Sequence, residues 1–203
     1  PAGSLGTIGA FSFYATKNIT TGEGGMLTTN DETVAARARR FRHHGQGTQY
    51  LYETMGYNYR MTDLQAALGI EQLKHLADWT RRRQAHAAFL TSALAGIPGL
   101  KLPVILGDSQ HAFHQYTIRV TKACACTRDE LRRHLEQRGV ESAIFYPKPL
   151  HLHPHFASLG YREGAFPEAE RAAAEVLSLP VHPGLTHKQL ERIATAVREA
   201  TTC

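Results

Sequence analysis

Several kinds of residue are scarce in this chain of 203 residues. It has three cysteines and one tryptophan, and none of its apolar runs approaches the roughly 18 residues that a membrane-spanning helix needs. Cys124 and Cys126 are poorly spaced for a disulfide, and with Cys203 the number of cysteines is odd, so we expect reduced thiols and no zinc site. The first residues, PAGS, lack the basic start and apolar stretch of a signal peptide, and we expect a cytoplasmic protein.

Acidic residues are also fewer than basic ones, 18 against 23, which gives a formal net charge of +5. The arginines cluster between Arg37 and Arg42 and between Arg81 and Arg83, in regions whose composition predicts helices, where such residues usually form a solvated face. No nucleic-acid-binding motif accompanies them, and we expect no DNA or RNA partner. A basic nucleic-acid module remains an alternative that salt-dependent binding to DNA would reveal.

The most informative stretch is SFYATKNITTGEGG, which runs from Ser12 to Gly25. Apolar residues from Ile8 to Phe13 predict a buried strand, and the residues after Gly25 predict the next strand. Lys17 lies between them, followed by three glycines. A lysine held partly out of water can attack a carbonyl as the neutral amine, and a serine hydroxyl near flexible glycines can donate to a phosphate. The pattern therefore suits an aldehyde cofactor that carries a phosphate, although a single lysine in a turn is more often a solvated cation.

The longer segment GSLGTIGAFSFYATKNITTGEGGMLTTND resembles the cofactor-lysine segment of the DegT/DnrJ/EryC1/StrS family, sugar-nucleotide aminotransferases that use pyridoxal 5'-phosphate (PLP). The resemblance implies that Lys17 forms the Schiff base with PLP and shuttles the substrate proton, and that Ser12 contacts the cofactor phosphate. Some relatives with histidine at this lysine position are dehydratases, and Lys17 argues against that branch. The implied fold is α/β, the PLP-dependent transferase fold type I of aspartate aminotransferase.

Caps, periodicity and composition predict the remaining elements. In the first part these are a helix from Glu32 to Phe41 capped by Asp31 or Asn30, a long loop from His43 to Tyr59, a helix from its cap Thr62 to Leu76, and a helix from Asp78 to Leu94. In the second part they are strands at Phe113–Val120, Val140–Phe145 and Leu177–Leu179, and helices that begin near Thr127, Phe166 and Thr186. Helical spacing predicts that Leu64, Ala67, Leu68, Leu73 and Leu76 belong to the core.

A second segment, GYNYRMTDLQAALG, also resembles the family. On spacing alone, Asn58 and Arg60 are polar residues before a helix cap. The resemblance implies that Asn58 reaches across a homodimer interface to the partner's cofactor phosphate, and that Arg60 binds an anionic part of the substrate, for which an arginine fork is suited. It thus predicts a homodimer with shared active sites.

A third resemblance covers YPKPLH and LSLPVHPGLT near the end of the chain. It makes His151 a candidate on the substrate side, with Tyr146 as a weaker one. His151, His153 and His155 alternate, which on a strand would place them on one face and suggest a metal site. Pro149 and Pro154 interrupt regular strand structure, however, and we expect no metal.

Together these resemblances predict an aminotransferase that moves an amino group from glutamate to a keto-sugar nucleotide, for amino-sugar or polysaccharide biosynthesis. Residues 1–77 would be the remainder of the PLP-binding large domain, with the Schiff-base lysine, and residues 78–203 a small C-terminal α/β domain. Family members are much longer, and their upstream part carries most of the cofactor-binding sheet, so we expect this chain to be the C-terminal portion of an enzyme and incomplete by itself. The alternative is a non-catalytic truncated remnant or assembly partner of such an enzyme.

Overall fold

The computed structural model describes residues 1–201, and Cys203 lies outside them. The chain divides into two compact units, with the boundary after Asp78. The first contains β1 (Gly9–Ser12), β2 (Gly25–Thr28), α1 (Glu32–Arg42), β3 (Gln46–Thr48), β4 (Leu51–Tyr52) and α2 (Asp63–Leu73). The second contains most of α3 (Leu76–Leu94), then β5 (Leu100–Lys101), β6 (Tyr116–Val120), α4 (Arg128–Gln137), a 3-10 turn (Leu150–Leu152), α5 (Pro154–Ala157), α6 (Pro167–Glu175), β7 (Val176–Leu179) and α7 (His187–Thr201).

The first strand is shorter and more exposed than the sequence predicts. β1 and β2 form an antiparallel pair in which Ser12 lies opposite Gly25. Ile8, just before β1, is 50% exposed, and Phe11 within it is also exposed, so the prediction of a buried strand is wrong for this chain. The physical reason is that two paired strands satisfy each other's hydrogen bonds but cannot cover their own faces, which require a further layer.

The first helix is confirmed, and the segment after it is more ordered than predicted. Asp31 caps α1 by accepting hydrogen bonds from the N–H groups of Thr33 and Val34. The predicted long loop from His43 to Tyr59 contains the short hairpin of β3 and β4, so the prediction that this segment has no strands is wrong. His43, at the end of α1, also pairs with Asn58 in an isolated antiparallel bridge. The hairpin therefore returns the chain to the end of α1.

The predicted cap of α2 is confirmed, but the predicted burial of the helix's apolar side chains is not. Thr62 and Gln65 form a reciprocal capping box, and the helix ends at Leu73 rather than at Leu76. None of its residues is buried, and Leu64 is 83% exposed, so the prediction that this apolar stripe belongs to the core is wrong within the residues described. Helical spacing indicates which side chains share a face, but it does not supply the surface that covers them.

The second unit has a well-packed core around a three-stranded antiparallel sheet in the order β5-β6-β7. Side chains from α3, β6, α4, β7 and α7 meet there, and the following are fully buried: Leu90, Leu94, Tyr116, Ile118, Leu131, Leu135, Leu177 and Val197. The predicted caps Thr127 and Thr186 are confirmed, each paired with the side chain three residues later. Within residues 1–201, no helix is long and apolar enough to cross a membrane.

Two strand predictions in this unit need correction. The strand predicted to start at Phe113 begins at Tyr116, because Phe113 has a φ of +43° and cannot continue an extended strand. The strand predicted at Val140–Phe145 is reduced to one bridge, in which Ala143 and Ser178 exchange backbone hydrogen bonds of 3.1 and 2.8 Å. His151, His153 and His155 lie not on a strand but in the 3-10 turn, at its end and in α5.

Candidate functional site

Lys17 lies half-buried in the loop between β1 and β2, and the backbone closes this loop at both ends. The N–H of Phe13 donates to the carbonyl of Gly24 at 2.9 Å, and the carbonyl of Phe13 accepts from the N–H of Thr21 at 3.0 Å. Within the loop, the N–H of Lys17 donates to the carbonyl of Tyr14 at 2.9 Å. The N–H of Tyr14 donates in turn to the Ser12 hydroxyl oxygen at 3.3 Å. One short segment thus fixes the backbone on both sides of the lysine and orients the serine.

Helix α2 holds the far side of this loop with two glutamines. Gln72 Oε1 accepts from the N–H of Thr20 at 2.9 Å, and Gln65 Nε2 donates to the carbonyl of Glu23 at 3.1 Å. Between them on the same helical face lies Gly69, where an added Cβ would come within 2.9 Å of Thr21 Cγ2. Thr21, which lies against Gly69, is only 4% exposed.

These supporting residues were not identified from the sequence. Gln65, Gly69 and Gln72 follow the helical spacing i, i+4, i+7, which is a signal that they share one face of α2. That spacing could have suggested a polar contact with another segment. It could not have named the loop of Lys17 as the segment, because the contact between Thr20 and Gln72 joins residues 52 positions apart.

Two glycines of this loop, Gly22 and Gly24, have positive φ angles and differ in the space around them. Gly22 has a φ of +80°, and no heavy atom lies within 4 Å of the place that a Cβ would occupy, so its surface is open. Gly24 has a φ of +152°, and a Cβ there would lie 2.4 Å from Thr21 Oγ1. A primary amine, a hydroxyl and an open glycine backbone on one loop are the groups that a phosphorylated aldehyde needs, and the donor set therefore fits PLP.

We expect Gly24→Ala to destabilise the first unit much more than Gly22→Ala. At Gly22 an alanine meets only the cost of a left-handed backbone, about 1–2 kcal/mol. At Gly24 the same methyl group also overlaps Thr21, which is held by its own hydroxyl donating to the carbonyl of Glu23. Urea unfolding of the two variants measures the difference, and equal losses would contradict the close packing of this loop.

Asn58 and Arg60 form a second local group in the first unit. Both are exposed, and Arg60 Nε donates to Asn58 Oδ1 at 2.8 Å. The backbone around them pairs with the end of α1, because the N–H of Tyr59 donates to the carbonyl of Arg42 at 3.0 Å. Among residues 1–201, the terminal guanidinium nitrogens of Arg60 make no hydrogen bond, so they can receive an anion. No hydrogen bond or ring contact within the described first unit joins this group to Ser12 or Lys17.

The remaining candidates, Tyr146 and His151, belong to the second unit and differ in exposure. Tyr146 is 71% exposed, whereas His151 is 7% exposed. His151 Nε2 lies 2.8 Å from Glu170 Oε1, and its ring meets Phe166 edge-on with centroids 4.9 Å apart. The sequence did not identify Glu170, which lies 19 residues away from its histidine partner.

The cysteines and histidines of the second unit do not form a metal site within residues 1–201. That part of the chain contains no group of three or more histidine, cysteine or carboxylate side chains that could hold a metal ion. Cys124 and Cys126 are free, and burial, together with the neighbouring Cys124 thiol, raises the pKa of the Cys126 thiol to about 11. Cys126 is therefore a protonated, weakly nucleophilic thiol at neutral pH.

Comparisons with known proteins identify relatives of this chain. The chain is 42% identical over 198 residues to the dTDP-3-amino-3,4,6-trideoxy-alpha-D-glucose transaminase of Streptomyces venezuelae, covering 97% of this chain and 51% of that protein. The crystal structure of S. venezuelae DesV in complex with a ketimine intermediate matches with a TM-score of 0.92 and 42% identity, over 98% of this chain and 53% of that one. The PLP-form of the protein Spr1654 from Streptococcus pneumoniae matches with a TM-score of 0.88 and 28% identity, over 100% of this chain and 54% of that one.

These matches confirm the predicted fold class, the α/β fold of the PLP-dependent sugar aminotransferases. The chain spans about half the length of the curated relatives it matches. A family model matches residues 1–198, which is nearly the whole sequence. With Lys17 and its glycine-rich loop between two paired strands, the chain belongs to the DegT/DnrJ/EryC1/StrS aminotransferase family.

Proposed function

We propose that the protein transfers an amino group from glutamate to a keto-sugar nucleotide, with PLP as cofactor. The observation that carries this proposal is the half-buried Lys17, held in a closed loop between β1 and β2 and braced by α2, in a chain of this family. The S. venezuelae relative is a transaminase whose name specifies a dTDP-linked amino sugar, and this supports a nucleotide-linked sugar as the substrate class.

In this proposal each candidate residue has a defined role, and Lys17 has two. Lys17 would hold the cofactor through its aldehyde group, and its Nζ, when free as the neutral amine, would carry the substrate proton. Bound PLP supplies an electron sink for the substrate carbon that loses its proton. The hydroxyl of Ser12 donates to the cofactor phosphate. Residues 1–77 would form the part of the large domain that contains Lys17, and residues 78–203 the small domain.

The substrate and the second subunit account for the other candidates. We assign the amide of Asn58 to the cofactor phosphate of the partner subunit in a homodimer, and the guanidinium of Arg60 to an anionic group of the substrate. The exposed phenol of Tyr146 and the imidazole of His151 are assigned to the substrate side. The open terminal nitrogens of Arg60 support this division, because a planar fork of donors suits a carboxylate or phosphate.

The test is cofactor uptake followed by turnover. The complete protein, purified at its natural full length, should turn yellow on addition of PLP and bleach with borohydride, because Lys17 bonds the cofactor's aldehyde reversibly until reduction. It should then consume glutamate in the presence of a dTDP-, UDP- or GDP-linked keto sugar. A protein that stays colourless with PLP would favour the alternative, a non-catalytic remnant or assembly partner. Uptake of PLP without turnover on any of these sugars would contradict the proposed substrate class.

A further inference from the structure

Glu170, in the first turn of α6, is the centre of a small hydrogen-bonded network. The N–H of Gly164 donates to both of its carboxylate oxygens, at 2.9 and 3.0 Å, and the N–H of Phe166 donates to Oε1 at 3.3 Å. His151 Nε2 lies 2.8 Å from the same Oε1. One side chain therefore ties the 3-10 turn that contains His151 to the loop that precedes α6.

The charge on Glu170 determines how His151 is oriented. The hydrogen bond from the N–H of Gly164, followed by the contact with His151, holds the pKa of the Glu170 carboxyl below its usual range. The group is therefore ionised at neutral pH and can only accept hydrogen bonds. It follows that the proton between the two side chains belongs to His151 Nε2, and that in the neutral imidazole Nδ1 is the acceptor.

The other ring nitrogen of His151 remains available. Within residues 1–201, Nδ1 makes no hydrogen bond. It is also not among the fully buried side-chain atoms without a partner, so it keeps access to solvent although the residue as a whole is only 7% exposed. A nearly buried imidazole that is clamped through one nitrogen and open at the other is suited to accept a hydrogen bond from a ligand.

We propose that Glu170 is a positioning residue, which holds His151 as the Nε2–H tautomer so that Nδ1 accepts a hydrogen bond from a sugar hydroxyl of the substrate. This inference rests on the proposed function for its ligand, but the hydrogen-bond arrangement of the two side chains stands by itself. A purely structural role for Glu170 would affect the stability of the second unit and both substrates alike. A positioning role affects the sugar substrate selectively.

The kinetic test compares Glu170→Gln with Glu168→Gln, in the same helical turn. Glutamine keeps the shape of Glu170 but lets the side chain donate as well as accept, so the tautomer of His151 is no longer enforced. Glu168 is 75% exposed and serves as the matched control. We expect the KM for the keto-sugar nucleotide to rise about tenfold in Glu170→Gln, as for the loss of one hydrogen bond to the substrate, with kcat and the KM for glutamate within about twofold. The control, Glu168→Gln, should have the kcat and KM values of wild type.

A double variant sharpens this comparison. Because Glu170 acts through His151, adding Glu170→Gln to His151→Ala should raise the KM for the sugar no further. If the two substitutions raised the KM for the sugar additively, or if Glu170→Gln raised the KM values for sugar and glutamate equally, the positioning role would be overturned. The amino-transfer proposal would stand. Failure of wild-type protein to turn over any sugar would instead overturn the proposed function and, with it, the assignment of the ligand.

The tautomer itself is measured without substrate. The ¹⁵N spectrum of histidine-labelled protein, at a pH where imidazole is neutral, should show His151 protonated at Nε2, with its signal assigned by its loss in His151→Ala. In Glu170→Gln we expect the Nδ1–H tautomer to predominate, because the glutamine amide can donate to Nε2 and the tenfold rise in KM requires the Nε2–H form to be the minor one. Protonation of His151 at Nδ1 in wild type would overturn the inference whatever the protein's activity.

Discussion

Replacing Lys17 by alanine is expected to lower the rate of amino transfer by more than about a thousandfold. The variant loses the amine that bonds the cofactor's aldehyde and also the group that carries the substrate proton, and acid–base catalysis alone contributes roughly 10²–10⁴-fold. Lys17→Arg should be equally inactive, because a guanidinium is always charged and cannot act as the nucleophile. Steady-state kinetics with glutamate and the preferred keto-sugar nucleotide measure the loss.

The matched control for this experiment is Lys74→Ala in the same unit. Lys74 is exposed and pairs with Glu71 at 2.5 Å, three residues earlier, an arrangement that contributes little to stability. The Lys74→Ala variant should retain wild-type activity. Borohydride reduction of the PLP-loaded wild-type protein, followed by digestion and mass spectrometry, should then place the label on the peptide that contains Lys17. A label on any other lysine would refute the assignment.

The sequence predicted local structure well where the signal is local. The predicted caps at Asp31, Thr62 and Thr127 depend on residues within three positions of each other, and all are present. Burial was predicted poorly in the first unit. The apolar residues of β1 and α2 were expected in a core, but within the described chain no second layer covers them. Hydrophobicity indicates that a surface requires a partner, and only the fold shows whether one is present.

In the candidate site, too, residues with a local sequence signal could be predicted and residues that act through distant contacts could not. Lys17 was recognisable because its glycines and strands are adjacent in sequence. Gln72 and Glu170 were not recognisable, because each acts through a residue that is distant in sequence. Gln72 contacts Thr20, 52 positions away, and Glu170 contacts His151, 19 positions away. The hairpin of β3 and β4 was missed for a related reason. Its register is irregular, with a shift between Gln46 and Thr48, so the alternation that identifies a strand is absent.

The arrangement of Asn58 and Arg60 leads to a prediction about subunit exchange. Both side chains are exposed at the end of the hairpin-containing segment, and their contact with each other orients the amide and the guanidinium together. If they serve the partner subunit, a dimer of Lys17→Ala with the double variant Asn58→Ala, Arg60→Ala has one site with all lesions and one with none. We expect each variant alone to be inactive, and the mixed dimer to recover about half of the wild-type activity per dimer, by that symmetry.

Activity is measured after the two proteins are mixed under conditions that allow exchange, and differently tagged subunits, purified sequentially, show that heterodimers have formed. The negative control replaces the double variant by a triple variant that also carries Lys17→Ala, because its heterodimers have no lysine at either site and must stay inactive. If Asn58 and Arg60 act within their own subunit, every site of the first mixture keeps either Lys17→Ala or the double substitution. Heterodimers that are confirmed by purification and remain as inactive as their parents would therefore contradict the assignment of these residues to the partner's site.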